Sequence, residues 1–181
     1  MKDSAQQREL FEQALTTAVY QAAWRYACWL SRTREDAEDL LQESLIRAFQ
    51  CFHQLRDTQS FRAWLMRIIR TRHLMRRRSD GNGIITITGT VDCYGETLVD
   101  YTAAPAAGPL AAELAVAIAG LPAQQREVIV LHYLEGYSLV ETGQVLGISA
   151  NAARQRIHRA RNALRGLLER QADPVCTELS C

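Results

Sequence analysis

The sequence predicts an all-α protein of two small helical domains joined by a flexible linker, the second containing a helix-turn-helix. Apolar residues recur at three- and four-residue spacing in residues 1–80 and again in residues 109–172, which is the period of an amphipathic helix. Residues 81–109 hold five of the ten glycines and two of the four prolines, a composition typical of a linker. We therefore expect domains at 1–80 and 109–172, a linker at 81–108 and a tail at 173–181.

Length and composition define the class of protein. A chain of 181 residues, 48% apolar and 23% charged, is ordinary for a globular protein. No apolar run approaches the roughly 18 residues of a membrane span, and residues 1–8 are polar. We therefore expect a cytoplasmic protein. The odd number of cysteines, five, and the lack of an export signal argue against a disulfide framework.

The first domain is predicted to contain three helices. The first follows an apolar stripe over 10–30, and the second, over about 35–53, has four acidic residues in its first turns, where they suit the positive helix end. The third begins near Phe61 and surrounds its apolar face with arginines. The inward side of the second helix is expected to comprise Ala37, Leu40, Leu41, Leu45, Ala48, Phe49 and Phe52.

The second domain carries more specific local signals. Helices are predicted over 109–120 and 122–136, since proline suits a first helical turn and glycine a helix end. Ser138 and Glu141 have the spacing of a capping box. The short helix that they open ends at Gly147, and a longer one follows after a brief turn, as in a helix-turn-helix.

Charge is distributed in blocks that match these domains. The net charge is +4 over residues 1–80, −4 over 81–120 and +3 over 121–172, which the overall value of +1 conceals. Arginine supplies 20 of the 21 basic residues. A bias in composition is one explanation of this preference for arginine. The use of guanidinium groups to bind phosphates and base edges is the other. The last helix, over about 150–171, is rich in arginine and would enter the major groove.

Several motifs occur together in one order along the chain. They are Asp-Ala-Glu-Asp-Leu-Leu-Gln-Glu at 36–43, Phe-Arg-Ala-Trp-Leu at 61–65, Tyr-Leu-Glu-Gly at 133–136, Leu-Gly-Ile-Ser at 146–149 and His-Arg-Ala-Arg at 158–161. With these motifs, residues 8–170 resemble a bacterial extracytoplasmic-function sigma factor. The resemblance implies an initiation subunit that binds the beta and beta-prime subunits of core RNA polymerase. It would direct the polymerase to a small class of promoters, such as a stress or metal response regulon.

The resemblance assigns two surfaces to the first domain. One matches the family's contact with the beta-prime clamp helices and consists of Asp39, Leu40, Gln42 and Glu43. The other matches the loop that captures an unstacked base of the minus-10 element, together with positions on the next helix that contact the same strand. This minus-10 set is Arg56, Asp57, Thr58, Gln59, Ser60, Arg67, Arg70 and Thr71. Thr71 replaces the usual asparagine, and Trp64 is interpreted as a core residue, with base stacking as the alternative.

In the second domain the resemblance implies minus-35 recognition. Arginine can pair with a guanine edge and glutamine with an adenine edge. The matching set is Arg154, Gln155, Arg156, His158 and Arg159, of which Arg156 is assigned to phosphates or packing. Residues 151–153 replace the usual Gly-Thr-Val run, so the promoter sequence cannot be copied from relatives.

Two modest basic surfaces on a tether bind DNA firmly only where a partner fixes their spacing. We therefore expect the free protein to bind duplex promoter weakly in the absence of core polymerase. The resemblance also implies an anti-sigma factor as regulator, and a membrane-anchored one would hold the chain at the inner membrane.

Cys93, Cys176 and Cys181 lie in the predicted linker and tail and raise a second hypothesis. Three thiols could bind Zn(II) or Cu(I), or form a disulfide, although incidental cysteines are the favoured interpretation. The alternative function is a metal- or redox-responsive helix-turn-helix regulator acting without core polymerase, or a repressor that dimerises on a palindrome. No Walker loop, dinucleotide glycine pattern or histidine cluster indicates an enzyme.

Overall fold

The computed structural model describes residues 2–79 and 109–172, and every regular element in those ranges is helical. The predicted all-α class is confirmed. The predicted linker and tail, with Cys93, Cys176 and Cys181, lie outside the described residues. The first domain contains α1 (Lys2–Ala14), α2 (Thr17–Leu30), α3 (Arg34–Cys51) and α4 (Phe61–Ser79), with one-turn 3₁₀ helices at Phe52–Gln54 and Thr58–Ser60.

The prediction of a single helix over 10–30 is wrong, because the helix is interrupted between α1 and α2. Thr16 has an extended backbone (φ −63°, ψ 160°), and its hydroxyl accepts a hydrogen bond from the Val19 amide at 3.3 Å. This is an N-cap, which starts a new helix. The apolar spacing continues across the break and concealed it, and Phe11 of α1 still faces the core at 7% exposure.

Aromatic rings join the helices of the first domain. The Phe11 ring centroid lies 5.3 Å from that of Phe52 and 5.6 Å from that of Phe61, edge to face, a favourable arrangement of ring quadrupoles. The N-cap of α3 is Thr33, whose hydroxyl accepts a hydrogen bond from the Asp36 amide at 3.1 Å. α4 packs across α2 and α3, so its position depends on this shared core.

The second domain contains α5 (Pro109–Ala119), α6 (Ala123–Ile129), a π-helical turn (Val130–Leu134), α7 (Leu139–Leu146) and α8 (Ala150–Ala172). The helix predicted over 122–136 is therefore an α-helix followed by a π turn. Arg126, 4% exposed, donates from Nη2 to the carbonyls of Ala119 and Leu121. These bonds pair the Nη2 group of a buried guanidinium and hold α6 at the end of α5.

The helix-turn-helix is confirmed. The Ser138 hydroxyl accepts from the Glu141 amide at 3.2 Å, and the Glu141 carboxylate accepts from the Ser138 amide at 2.9 Å. Gly147 ends α7 with a φ of +67°, which favours glycine. Gly143 was not anticipated: a Cβ there would lie 2.7 Å from the Ile148 carbonyl oxygen. α7 therefore lies so close to the turn before α8 that only glycine fits at position 143.

The two domains are packed against each other. α4 lies against α7, and α2 contacts the π turn. The buried apolar side chains of both domains form one continuous cluster. The sequence pattern predicted two domains on a tether and did not predict this contact.

Candidate nucleic-acid and polymerase interfaces

One face of α4 forms an open groove with α3. Positions three or four residues apart along α4 share this face, and Arg47 of α3 joins them. The groove has a volume of about 460 Å³. Its lining combines three guanidinium groups with aromatic, aliphatic and thioether side chains, namely Arg47, Trp64, Arg67, Ile68, Thr71, Arg72 and Met75. Positive charge beside an aromatic face is the combination that binds single-stranded nucleic acid.

Trp64 is a groove residue rather than a wholly buried one. Its side chain is half-buried and its ring centroid lies 6.0 Å from that of Phe61, so the core supports it from one side. The interpretation of Trp64 as a core residue is therefore only partly right. Arg67 and Thr71 are exposed on the same face, and the Thr71 hydroxyl donates to the Arg67 carbonyl at 2.8 Å.

The loop predicted to capture a base lies immediately before α4, and each of its residues 56–60 is exposed. Asp57 differs from its neighbours because its carboxylate is used within the loop. Its Oδ1 accepts from the Gln59 amide at 3.0 Å and its Oδ2 from the Ser60 hydroxyl at 3.1 Å. Asp57 therefore shapes the turn, while Arg56, Thr58 and Gln59 extend from it.

Arg70 does not lie in the groove with Arg67 and Thr71. Its side chain is 19% exposed, and its Nε lies 3.3 Å from Oε2 of Glu127 in α6. The Glu127 carboxylate is 10% exposed, and burial raises its pKa despite the neighbouring arginine. In this arrangement the second domain, not solvent, faces Arg70.

A second buried carboxylate joins the same two domains. Glu135, at the end of the π turn, has a side chain with 0% exposure. The Arg25 guanidinium approaches it with both Nε (3.0 Å) and Nη2 (2.9 Å), a fork that matches the carboxylate. Arg62 of α4 lies 3.6 Å from the carboxylate, donates to the Glu135 carbonyl and lies 4.4 Å above the Tyr137 ring. Sequence reasoning missed this cluster.

The predicted polymerase-binding residues divide between surface and core. Asp39, Gln42 and Glu43 are exposed on one side of α3, whereas Leu40 is 1% exposed and belongs to the core. The structure therefore does not place Leu40 on that surface. Ile46 and Phe49 continue this side at 53% and 37% exposure, as their helical spacing from Gln42 and Glu43 could have indicated. The Phe49 ring nevertheless packs edge to face on the core ring of Phe11, with centroids 5.4 Å apart, so the prediction that Phe49 is inward is only partly right.

Glu43 is held by the basic end of α4. Arg76 Nη2 lies 2.8 Å from Glu43 Oε1, and this hydrogen bond lowers the pKa of the Glu43 carboxyl. Both side chains are partly exposed, so the pair stabilises the fold only slightly. It does place an ionised carboxylate beside the exposed apolar side chains of α3.

The recognition-helix candidates lie on the outer side of α8. Arg154, Gln155, His158 and Arg159 are exposed, and the opposite side is anchored by Ala153, Ile157 and Ala160 in the core. Ser149 caps the helix, its hydroxyl accepting from the Ala152 amide at 3.1 Å. Arg156 is half-buried and lines a shallow depression with Arg159 and Pro122, consistent with its separate assignment. α8 therefore exposes these four side chains on one side, while its packed side fixes their direction.

Two further properties concern only the residues that the structure describes. No group of histidine, cysteine or acidic side chains among them could hold a metal ion, and the three candidate thiols lie elsewhere in the chain. No helix among them is long and apolar enough to cross a membrane.

Comparison with known proteins matches both domains. The family model described as Sigma-70 region 2 matches residues 15–82, and the one described as Sigma-70, region 4 matches residues 111–164. The ECF RNA polymerase sigma factor SigL of Mycobacterium tuberculosis is 34% identical over 166 residues, which cover 87% of this chain and 91% of the relative. SigW of Bacillus subtilis is 32% identical over 160 residues, 81% of each chain. SigE of Mycolicibacterium smegmatis is 34% identical over 166 residues, but the chain spans only 58% of it.

Two solved structures have the same fold. The sigma factor RpoE, in complex with the anti-sigma factor NepR from Bartonella quintana, matches with a TM-score of 0.63 and 25% identity over 83% of this chain and 92% of that one. CnrH, in complex with the cytosolic domain of CnrY, matches with a TM-score of 0.61 and 26% identity over 92% and 94%. The sequence motifs, the paired helical domains and these relatives agree: the chain belongs to the ECF RNA polymerase sigma factors, a family of transcription regulators.

Proposed function

We propose that this chain binds core RNA polymerase and directs it to a specific class of promoters. In this proposal residues 1–80 bind the polymerase and the minus-10 element, and residues 109–172 bind the minus-35 element. The observation that carries the proposal is the groove between α3 and α4, since an arginine-lined groove beside an exposed loop fits a separated strand better than a closed duplex.

At the minus-10 element, the exposed loop at 56–60 and the groove act in succession along one strand. The loop captures an unstacked base, and Trp64 offers a surface for stacking, an interaction worth about 1–3 kcal/mol per base. Arg47, Arg67 and Arg72 neutralise backbone phosphates beside it. Thr71 lies among them and contributes a short polar side chain where the family usually has asparagine.

At the minus-35 element, α8 enters the major groove. Arg154, Gln155, His158 and Arg159 face outward near its N-terminal end, as a recognition helix requires. Arg156 and the neighbouring depression fit a backbone phosphate rather than a base edge.

Polymerase binding is assigned to the exposed side of α3. The acidic and polar residues Asp39, Gln42 and Glu43 adjoin the exposed apolar residues Ile46 and Phe49. A basic helical partner, such as the clamp helices of the beta-prime subunit, fits this combination of charge and apolar area. Leu40 supports the surface from the core.

We also infer that an anti-sigma factor regulates the chain. RpoE of Bartonella quintana was solved in complex with the anti-sigma factor NepR, and it has this chain's fold. CnrH, which also has this fold, was solved in complex with the cytosolic domain of CnrY. A membrane-anchored partner of this kind would hold the chain at the membrane until released, in a stress or metal response.

Run-off transcription tests the proposal. Purified chain and core RNA polymerase are supplied together and separately with a library of promoter fragments from the source genome. We expect specific transcripts only when both components are present. Absence of transcripts, combined with tight binding of a palindromic duplex by the chain alone, would instead favour the independent helix-turn-helix regulator.

A further inference from the structure

The capture loop, residues 53–60, contains the exposed side chains proposed to bind an unstacked base, and aromatic rings anchor both of its ends. Phe52 precedes the loop and Phe61 follows it, and they are 7% and 2% exposed. Their ring centroids lie 5.7 Å apart, edge to face. The loop therefore leaves the core and returns to it at nearly the same place, as compact functional loops often do.

A third ring, that of Phe11 in α1, lies against both ends of the capture loop. Its centroid is 5.3 Å from that of Phe52 and 5.6 Å from that of Phe61, with interplanar angles of 86° and 88°. Edge-to-face contacts favour a particular separation and tilt of the rings that make them. Phe11 therefore holds the two ends of the loop in one geometry.

Further contacts of α1 lie at the same end of the domain. The Gln7 side chain donates from Nε2 to the Phe49 carbonyl at 3.1 Å, in the last turn of α3 before the loop begins. The Phe11 ring centroid lies 5.4 Å from that of Phe49. The element that α1 contacts most is the 3₁₀ turn Phe52–Gln54. α1 is thus packed chiefly against the anchor of the capture loop.

The capture loop has internal hydrogen bonds beside each anchor. The Leu55 amide donates to the Phe52 carbonyl at 3.0 Å, and the Ser60 amide donates to the Asp57 carbonyl at 3.1 Å. The first bond ends at one anchoring ring, and the second lies directly before the other. A displacement of either ring would therefore shift the exposed side chains between them.

We propose that Phe11 is a positioning residue for base capture and that α1 is a brace, acting through Phe11 and Gln7, that holds the capture loop ready for an unstacked base. The inference rests on the proposed function, in which this loop binds the minus-10 strand. Phe11 is buried, at 7% exposure, and acts through the rings that it contacts. A loop that is already ordered loses less conformational entropy on binding, so the brace strengthens capture.

The position of α1 in the chain makes this role separate from the family match. α1 spans Lys2–Ala14, whereas the model of Sigma-70 region 2 matches residues 15–82. That match therefore assigns no role to the brace, although it includes the whole capture loop.

The test compares Phe11→Leu with Leu41→Ala in the full chain. Phe11→Leu keeps an apolar side chain but removes the ring. Leu41→Ala truncates a side chain that is 3% exposed and lies about three helical turns before the loop. Hydrogen exchange followed by mass spectrometry measures the protection of residues 53–60 in the free chain.

Base capture is measured in the complex with core polymerase. Fluorescence anisotropy gives the affinity for a single-stranded minus-10 oligonucleotide found by run-off transcription, and for the same strand with an abasic site at the captured base. Abasic substitution along the strand identifies that base with the wild-type chain. The ratio of the two affinities measures capture separately from phosphate binding.

We expect Phe11→Leu to speed exchange in residues 53–60 and to bind the intact strand roughly tenfold more weakly than the wild type, within the range for one stacked base. Its affinity for the abasic strand should equal that of the wild type, because that strand offers no base to capture. Leu41→Ala should change neither the exchange of the loop nor the affinity ratio. Unchanged loop exchange in Phe11→Leu, or equal changes in the two variants, would overturn the inference.

A milder pair of variants replaces these if Phe11→Leu loses its helical circular dichroism. Gln7→Ala removes the hydrogen bond to Phe49, and Gln6→Ala, at an exposed glutamine of the same helix, is its matched control. The inference then requires faster loop exchange and a lower affinity ratio in Gln7→Ala than in Gln6→Ala. Equal behaviour of the two variants overturns it.

Failure of the proposed function gives a different result. If the wild-type chain initiates no transcription and binds neither strand, the proposed function is contradicted, whereas faster loop exchange in Phe11→Leu alone still supports the brace. If the wild type transcribes and Phe11→Leu keeps the wild-type affinity ratio, the function is supported and the role of Phe11 in base capture is overturned.

Discussion

The two sides of α4 use the same residue type for different purposes. On the groove side, Arg67 and Arg72 lie beside Trp64, and no ion pair involves either arginine within residues 2–79 and 109–172. On the covered side, Arg62 and Arg70 are held by carboxylates of the second domain. Arginine content alone therefore does not identify a DNA-binding surface. The location of the carboxylates decides which arginines remain available for phosphates.

The largest effect is expected from Trp64→Ala, which removes the aromatic surface of the groove. Loss of one stacked base costs about 1–3 kcal/mol, or up to roughly a hundredfold in affinity for the minus-10 strand. Trp24→Ala removes another half-buried tryptophan outside the groove and should leave that affinity unchanged. Fluorescence anisotropy with a single-stranded oligonucleotide measures both, and equal losses would mean that the groove has no special role.

Arg154→Ala extends the comparison to α8, where an arginine is also exposed. We expect weaker minus-35 binding by about 1–3 kcal/mol and relaxed preference at one base pair. Arg165→Ala, a more distant exposed arginine of the same helix, should weaken binding to every sequence alike. Competition binding against a set of single-base promoter variants distinguishes the two. Uniform loss in Arg154→Ala would make it a phosphate contact.

Single substitutions of Arg67 and Arg70 distinguish the groove side of α4 from its covered side. Arg67→Ala should lower the slope of log affinity against log salt concentration by about 0.7, the value for one phosphate contact on a single strand. Arg70→Ala should not lower the slope in the free chain, since Glu127 already neutralises it. A titration of the minus-10 oligonucleotide at several salt concentrations measures both slopes. Equal decreases would contradict the assignment of the two sides.

The smallest effect near neutral pH concerns His73, a half-buried residue of α4. Burial, and then the arginines nearby, lower its pKa from 6.5 to about 4, so the folded chain favours the neutral imidazole. Stability is therefore complete above pH 6.5 and falls as the pH drops from 6.5 towards 4, by less than about 1 kcal/mol at pH 6. Urea unfolding of wild type and His73→Gln from pH 7.5 to 5 tests this. If the free energy of unfolding of His73→Gln falls equally steeply as the pH drops, groups other than His73 cause the effect.

Features that depend on neighbouring residues were predictable from the sequence. The capping box of Ser138 and Glu141, the end of α7 at Gly147 and the exposed side of α3 all follow from spacings of a few residues. The break at Thr16 is also local, but the apolar period masked it.

Contacts between distant residues were not predictable. Periodicity indicates that a side of α4 is buried but not what covers it, and Arg70 resembles Arg67 until Glu127 is placed beside it. Periodicity placed Leu40 inward, as the structure confirms at 1% exposure, whereas the motif match assigned it to the surface with its neighbours, since a motif match carries no information about burial. The groove was predictable only in part. Its α4 residues recur at helical spacing in the sequence, whereas Arg47 comes from another helix, α3.

Photo-cross-linking tests the central claim that the groove side of α4 holds the minus-10 strand. A promoter whose minus-10 strand carries a photoreactive base is bound by the chain and core polymerase, irradiated, and digested for mass spectrometry. We predict cross-links to the loop at 56–60 and to the groove residues Trp64, Arg67 and Met75. Cross-links confined to other parts of the chain, in complexes that still initiate transcription, would contradict the account.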